Sequence, residues 1–479
     1  MRLRSKQKKN PAPLVVDVDG TLIKSDLLIE SFLTLLSTKP LHALAALGSL
    51  MRGRAAFKAR VASETKLDTS NLPFNPGIWA LLKAEKRKGR KIYLASASDH
   101  KLVEALARRL GIFSGVFASN GKTNLKGTNK AAALCAAFGK GGFDYAGDSQ
   151  NDVAVWLKAK GVLVVGATRF FLERIRNRFP HARGIDEQHL SFKDYVRAMR
   201  IHQWLKNLLI FVPCLLAHRY RAHDLFLLSL AFLSFSLCAS SGYIANDLLD
   251  LRNDRLHPTK YTRPLASGRI PLTHGMWMAP LLLLAAFAIA YPLPIGFMAL
   301  LAIYYVTTMA YSVWLKRKLI VDVVILAGLY GLRLAAGSLA VSVLLSTWFV
   351  AFSVFLFLSL ALVKRCTELI DQSGKGRNDV AGRGYLLRDL PMLEAMAAAA
   401  GYIAIMVFAL YINSPDVNAL YRTPEYLWAI CLVLFYWISR ILLLTHRGDM
   451  HDDPVVFAAT DLKSLACGAL VVAIVLFSI

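Results

Sequence analysis

Asn246-Asp247-Leu248-Leu249-Asp250-Leu251-Arg252-Asn253-Asp254-Arg255 follows directly on an apolar run, Leu225 to Ala245, long enough to cross a bilayer. The stretch places charge where a membrane segment should exclude it. On a helix, Asp247, Asp250 and Asp254 are three and four residues apart and share one face. Three like charges on one stripe repel unless cations sit between them. At the mouth of a membrane helix, that pattern points to a divalent-metal site for a diphosphate.

Working outward, the chain reads as a membrane protein with a soluble front end. Of its 479 residues 55% are hydrophobic, and the mean hydropathy of +0.43 is too high for an ordinary globular protein. The apolarity is concentrated after about residue 205. Met1 to Asn10 is polybasic (Arg2, Arg4, Lys6, Lys8, Lys9) but leads into a strand and an acidic motif, so no signal peptide is expected. A net charge of +25 raises the question of nucleic acid. Basic loops against anionic lipid account for it better, so no nucleic-acid partner is expected. The six cysteines (Cys135, Cys214, Cys238, Cys366, Cys431, Cys467) are scattered without a CxxC pair, which argues against a disulfide framework or a zinc site.

Nine apolar segments follow, at about 205–218, 225–245, 275–293, 295–315, 319–341, 345–363, 392–412, 426–445 and 462–479. The loops after the second, fourth, sixth and eighth carry most of the cations, among them Arg252, Arg263, Lys316, Lys364, Lys375, Arg377, Arg383 and Arg447. The opposite loops carry only Arg219, Arg221 and Arg422. The positive-inside rule then makes the first set cytoplasmic. The expectation is a multi-pass protein of the inner (cytoplasmic) membrane, with its N-terminal domain in the cytoplasm and its C-terminus outside.

The N-terminal part alternates strand-like and helix-like patterns. Leu14-Val15-Val16 ends in Asp17-Val18-Asp19-Gly20-Thr21, and Ile92 to Ala95 ends in Ser96. Lys130 opens a helical stretch. Phe143 to Ala146 leads into Gly147-Asp148-Ser149-Gln150-Asn151-Asp152, and a last strand spans Val162 to Val165. Such alternation implies a parallel sheet with functional groups at the strands' carboxyl ends. A carboxylate attacks a phosphate dianion only where a metal and a cation cancel the repulsion.

This set of motifs resembles the haloacid-dehalogenase-like phosphohydrolases over about residues 13–167. The resemblance implies Asp17 as nucleophile and Asp19 as general acid and base. It implies Mg²⁺ held by Asp17, Asp148 and the Asp19 carbonyl, with Asp152 in support. Ser96 and Lys130 would bind phosphoryl oxygens, with Lys126 as an alternative to Lys130. The insertion at about residues 24–89 reads as a helical cap. Its Leu/Ala-rich stretch, Phe32 to Leu50, is either a cap core or a lipid-contacting face. Residues 1–12 read as a basic tail and 168–199 as a basic linker (Arg169, Arg174, Arg176, Arg178, Arg183), solvated or lying on headgroups.

Residues 200–479 read as the membrane domain. After the acidic stretch, Leu256-His257-Pro258-Thr259-Lys260-Tyr261-Thr262-Arg263-Pro264-Leu265-Ala266-Ser267-Gly268 places Lys260 and Arg263 for diphosphate oxygens. The run resembles the UbiA superfamily of intramembrane prenyltransferases, whose first acidic motif binds Mg²⁺-diphosphate. The resulting fold expectation is multi-domain. It pairs an α/β Rossmann-like haloacid-dehalogenase fold bearing a helical cap with an all-α UbiA-like membrane domain of about nine transmembrane helices. The second region, Tyr311 to Asp322, offers the single carboxylate Asp322 along with Lys316. Arg333 lies eleven residues on, three turns and about 16 Å along the same face. Buried ionisable residues in a span are usually functional, a structural ion pair being the competing reading.

Arg200-Ile201-His202-Gln203-Trp204-Leu205-Lys206-Asn207, the acidic run with His257, and Val363-Lys364-Arg365-Cys366-Thr367-Glu368-Leu369 look like the decaprenyl-phosphate phosphoribosyltransferase branch. That branch implies phosphoribosyl diphosphate and a polyprenyl phosphate as substrates. Mg²⁺ would sit on Asn246, Asp247, Asp250 and Asp254. Lys206, Asn207, His257, Lys260, Arg263, Lys316, Asp322, Arg333, Lys364 and Arg365 would serve substrate. Polyprenyl-phosphoryl-5-phosphoribose is the expected product, and the fused phosphatase is suited to remove its 5-phosphate. The alternative is an aromatic prenyltransferase using a polyprenyl diphosphate, with a soluble domain of unrelated or regulatory role. The oligomeric state stays open.

Overall fold

The computed structural model describes residues 11–65, 67–120, 123–187, 190–373, 384–450 and 453–479. The basic tail, Met1 to Asn10, and the loop cations Lys375, Arg377 and Arg383 lie outside the described residues. The chain forms two compact units, Met1–Ala198 with Asp247–Trp277, and Met199–Asn246 with Met278–Ile479.

The first unit is built on a six-stranded parallel sheet in the order β3-β2-β1-β4-β5-β6. The strands are β1 (Leu14–Val16), β2 (Ile92–Asp99), β3 (Gly115–Ser119), β4 (Asp144–Gly147), β5 (Gly161–Val165) and β6 (Arg183–Ile185). Val16 pairs with Leu94 on one side and Ala146 on the other, so the residues that follow emerge together at one edge. The fold is Rossmann-like, as the motif order implied. β3 and β6 were not foreseen. The stretch expected to be a linker is instead structured: it carries β6 and helices Arg169–Arg178 and Phe192–Ala198. Leu172 and Ile175 of the first of these helices are buried against the sheet, which is why the basic stretch is ordered rather than solvated throughout.

The cap comprises α1 (Leu27–Thr38), α2 (Pro40–Gly48) and α3 (Arg54–Glu64), and α4 (Pro76–Arg87) returns the chain to the sheet. Asp26 caps α1 by accepting from Leu28 N and Ile29 N. Pro40 starts α2, where a missing N–H costs nothing.

Residues Asp247–Trp277, read from the sequence as part of the membrane domain, pack with the first unit instead. The reason is a set of ion pairs. Arg255 grips both carboxylate oxygens of Glu30 at 3.0 and 2.6 Å and donates Nε to the Ala266 carbonyl at 2.9 Å. Arg269 lies 3.2 Å from Asp194, and Tyr195 Oη meets His274 Nδ1 at 2.7 Å. Gly268 has φ +70, and a Cβ there would come within 2.7 Å of the Lys24 Cβ, so both the turn and the approach require glycine.

The second unit is all helical. Seven helices among the described residues are long and apolar enough to cross a membrane: Ala222–Leu249, Leu272–Ala290, Ile295–Val313, Val321–Ala340, Thr347–Ser373, Leu387–Ile412 and Pro424–His446. Pro454–Thr460 and Leu462–Ser478, bent by 79°, make an eighth if counted as one span. The chain is an integral membrane protein. The first of the nine apolar segments is a 3₁₀ helix, Ile201–Phe211, followed by the short helix Val212–Leu216. Pro213, which lacks an N–H, stands at the change from one helix type to the other. A Cβ on Gly337 would sit 1.9 Å from the Ile210 carbonyl, so Val321–Ala340 packs directly on that 3₁₀ backbone.

Glu30 and Arg255 have side chains only 4% and 8% exposed. Arg255→Met leaves Glu30 charged and buried without its partner, at a cost of about 3 kcal/mol. Thermal unfolding in detergent should begin at lower temperature in that variant, and adding Glu30→Leu should recover most of the loss.

Candidate active sites

β1 and β4 end level, and β2 runs on beyond them to Asp99, so that Asp17, Asp148 and the in-strand Ser96 meet at one edge of the sheet. Asp17 Oδ1 accepts from Val18 N at 2.8 Å, and its Oδ2 lies 2.9 Å from Lys130 Nζ. Lys130, the third residue of helix Thr128–Phe138, also donates to Tyr145 Oη at 2.9 Å, and that hydroxyl donates to Asp152 Oδ1 at 2.8 Å. Asp152 Oδ2 accepts from Asp148 N, Ser149 N and Ser149 Oγ, which fixes the loop carrying Asp148. Asp19 is held on three sides. Its Oδ1 accepts from Leu27 N at 2.7 Å, and its Oδ2 accepts from Ser96 Oγ at 2.9 Å and Ser98 Oγ at 2.8 Å. Ser96, expected on a phosphoryl oxygen, orients Asp19 in this structure. Lys126 lines the same cavity, of about 560 Å³, and Arg269 and Thr273 form part of its wall.

Ligand oxygens of Asp17, Asp148 and Asp152 lie within 4.8 Å of one another, the one such acidic group among the described residues. Gly20 makes room for it, since a Cβ there would fall 2.1 Å from Asp148 Oδ2. Burial pushes the Asp17 carboxyl up to about 7 against the pull of Lys130, with Asp152 and Asp19 adding to the rise. Burial, then Asp152 and Asp17, raise Asp148 well above the usual carboxylate range. Burial works against the Lys130 charge, but Asp17 and Asp152 outweigh it and raise its pKa. Crowded acids whose ionisation is this costly fit a divalent cation.

The acidic stretch behind the first membrane-length helix departs from one continuous helix. Ala222–Leu249 stops, Asp250 takes a non-helical conformation, and Leu251–Leu256 begins a second short helix. Asp247 and Asp254 still converge, on Arg263, whose Nη1 lies 3.0 Å from Asp247 Oδ1 and 2.6 Å from Asp254 Oδ2. Burial lifts Asp254 to about 6 against the attraction of Arg263, and Asp247 adds to the rise. A guanidinium thus stands between two carboxylates, and Asp247, Asp250 and Asp254 do not close into a metal-sized acidic group among the described residues. His257 and Lys260 are on the loop that follows, Lys260 exposed and His257 half-buried with Nδ1 3.3 Å from Thr259 N.

In the second unit Lys206 and Lys364, 158 positions apart in sequence (364 − 206), both reach Asp453 Oδ2, at 2.7 and 2.5 Å. Tyr330 Oη is 3.3 Å from the other oxygen. Arg333 donates to Asn207 Oδ1 at 2.8 Å and Tyr304 Oη at 3.2 Å, and Asn207 donates to Ser236 Oγ. Asp322 pairs with Arg365 at 2.9 Å and accepts from Tyr385 Oη at 2.5 Å, so Asp322 and Arg333 go to different partners. Arg365 also meets Glu368 and Tyr311. Lys316 lies on a 3₁₀ turn, Leu315–Arg317. Asp453, Tyr145, Ser98 and Tyr385 were missed. The pair Asp452-Asp453 before an apolar helix was the one available signal.

Two family matches and the membrane-length helices make this a membrane transferase with a hydrolase domain. Residues 207–465 match the UbiA prenyltransferase family, and residues 14–156 match haloacid dehalogenase-like hydrolases. The chain belongs to the UbiA prenyltransferase family, and both families use Mg²⁺. The uncharacterized protein y4nM of Sinorhizobium fredii is 36% identical over 463 residues, 96% of this chain and 89% of that one. A decaprenyl-phosphate phosphoribosyltransferase of Mycolicibacterium smegmatis is 36% identical over 179 residues, covering 36% of this chain and 56% of that enzyme. The structure of a UbiA homolog from Archaeoglobus fulgidus bound to GPP and Mg²⁺ is 16% identical with a TM-score of 0.45, covering 59% of this chain and 99% of that one.

Tyr145→Phe removes the hydroxyl that holds Asp152, an outer partner of the metal group. Mn²⁺ affinity at the soluble site should fall about 10–100-fold. Electron paramagnetic resonance in a background carrying Asp247→Asn, Asp250→Asn and Asp254→Asn would read that site alone.

Proposed function

We propose that the chain transfers 5-phosphoribosyl from phosphoribosyl diphosphate to a polyprenyl phosphate, and that its soluble unit then hydrolyses the 5-phosphate. The observation that carries this reading is the convergence of Lys206 and Lys364 on one buried carboxylate oxygen. Two ammonium groups so placed form a cradle for a phosphate, which a phosphorylated acceptor has and a neutral aromatic acceptor lacks. The resemblance to a named decaprenyl-phosphate phosphoribosyltransferase supports it.

In the transfer, a lipid phosphate oxygen bonds to C1 of the ribose while the bond from C1 to pyrophosphate breaks. Asp247, Asp250 and Asp254, with Asn246, would hold Mg²⁺, which when bound neutralises charge building on the leaving pyrophosphate. Arg263, released from the two carboxylates, is positioned to meet diphosphate oxygens, with Lys260 beside it in sequence. Lys206 and Lys364 hold the acceptor phosphate, and Arg333 orders that site through Asn207. Asp322 and Arg365, fully buried and paired, position the helix that bears Lys364. His257 and Lys316 complete the set of polar groups offered to substrate.

In the hydrolysis, the Asp17 carboxylate attacks phosphorus and the ester P–O bond breaks. Asp19, aligned by Ser96 and Ser98, protonates the departing ribose oxygen. Asp19 then takes a proton from the water that cleaves the aspartyl-phosphate, releasing inorganic phosphate. Lys130 pairs with Asp17 and takes charge from the phosphoryl oxygens. Asp17 and Asp148 would hold Mg²⁺, which supplies the charge neutralisation that lets a carboxylate approach a phosphate dianion. The basic loops support placing this unit in the cytoplasm.

The test is incubation with phosphoribosyl diphosphate, Mg²⁺ and a polyprenyl phosphate, followed by mass spectrometry of the lipid. The intact protein should yield polyprenyl-phosphoryl-ribose. Asp17→Asn should accumulate the 5-phosphorylated lipid, with phosphate release lowered roughly 10³-fold or more. Asp247→Asn should yield neither lipid. Identical products from the intact protein and Asp17→Asn would defeat the coupling, and transfer of a prenyl group to an aromatic acceptor would defeat the whole reading.

A further inference from the structure

The cap carries an apolar face that the described residues leave exposed. α2 reads Pro-Leu-His-Ala-Leu-Ala-Ala-Leu-Gly and is apolar nearly all round, yet only one side is covered. Ala43 and Ala46 are buried against Leu35 and Val61. On the other side Leu41 is 78% exposed and Leu44 60%, and the 3₁₀ turn that follows leaves Met51 94% exposed, with Leu47 and Leu50 between them. Leu41, Leu44 and Leu47 recur every third residue, which aligns them on one helical face. A run of large apolar groups this exposed marks a surface that meets another apolar phase.

Its charge identifies that phase. Between Glu30 and Glu64 the sequence contains no acidic residue, and its cations include Lys39 and Arg52, whereas Lys58 turns toward the Asp17 cavity, where it donates to the Ala97 carbonyl. Lys39 and Arg52 stand exposed at the two ends of the apolar face. Glu64, at the end of the stretch, is held by His42 and Arg60 at 2.9 and 3.1 Å. An apolar strip flanked by cations, on a unit whose chain continues into membrane helices, is the chemistry of an interfacial helix on an anionic bilayer.

We infer that α2 and the turn Ser49–Arg52 form a membrane-docking face, seated among the headgroups of an anionic leaflet, Leu41, Leu44, Leu47, Leu50 and Met51 inserted. The docking concerns the lipid surface alone and holds whichever phosphate ester the cavity takes. Its benefit is to a phosphatase whose substrate is anchored in the same leaflet.

The experiment replaces Leu44 by photoreactive p-benzoylphenylalanine in the full chain, reconstituted in nanodiscs of phosphatidylcholine with or without phosphatidylglycerol. The same replacement at exposed Lys140 is the control. Irradiation should attach lipid at position 44 at least five times more than at 140, and more with phosphatidylglycerol. Adding Leu41→Glu and Leu47→Glu should cut the lipid adduct several-fold, with sodium chloride at high concentration reducing it further. Equal labelling at the two positions would overturn the proposal, as would crosslinks from position 44 to a second copy of the chain instead of lipid. Because the readout is a lipid adduct, it stands or falls separately from the identity of the transferred group.

Discussion

A carboxylate withdrawn from water must be met by a cation, and this chain answers that demand in each of its polar centres. Asp17 and Asp152 have Lys130, Asp247 and Asp254 share Arg263, Asp453 draws in both Lys206 and Lys364, and Asp322 is closed against Arg365. In the first three centres the internal cation is also the group proposed above to take a phosphate. The acids therefore keep the cations in position, and the cations keep the acids from repelling one another.

The sequence made legible those parts of the fold whose chemistry is local. β1, β2, β4 and β5 are short apolar runs that end in polar motifs, so strand and site were read together. β3 is only half-buried along most of its length, and β6 is three residues in a basic stretch. An edge strand lacks the continuous apolar run that betrays a central one, so neither stood out. The acidic helix was read as continuous because three- and four-residue spacing cannot reveal a break at Asp250. Arg263 restores by long-range pairing what the broken helix would otherwise lose.

The candidate sites were legible as residue types and only partly as arrangements. Asp17, Asp19, Asp148, Asp152 and Lys130 come together as their motif order implied. Lys206 was foreseen as a phosphate ligand, but its partner Asp453 lies 247 positions away and only the folded chain joins them. Tyr145, hidden in a strand as an ordinary aromatic, ties Lys130 to Asp152 by its hydroxyl. Residues Asp247–Trp277 looked like a loop between membrane helices, yet Arg269 and Thr273 line the cavity that contains Asp17. The wall of one candidate site is thus drawn from the loop that bears the acids of the other.

That borrowing has a consequence for the order in which the protein matures. The sheet has all six strands once Ile185 has been made, but the counter-ion of Glu30 is Arg255, which is synthesised only after helix Ala222–Leu249. In chain order, both the partner of Glu30 and part of the cavity wall therefore follow the first long membrane helix. Separating the two halves of the gene would leave Glu30 without this counter-ion and the cavity without the wall that Arg269 and Thr273 supply.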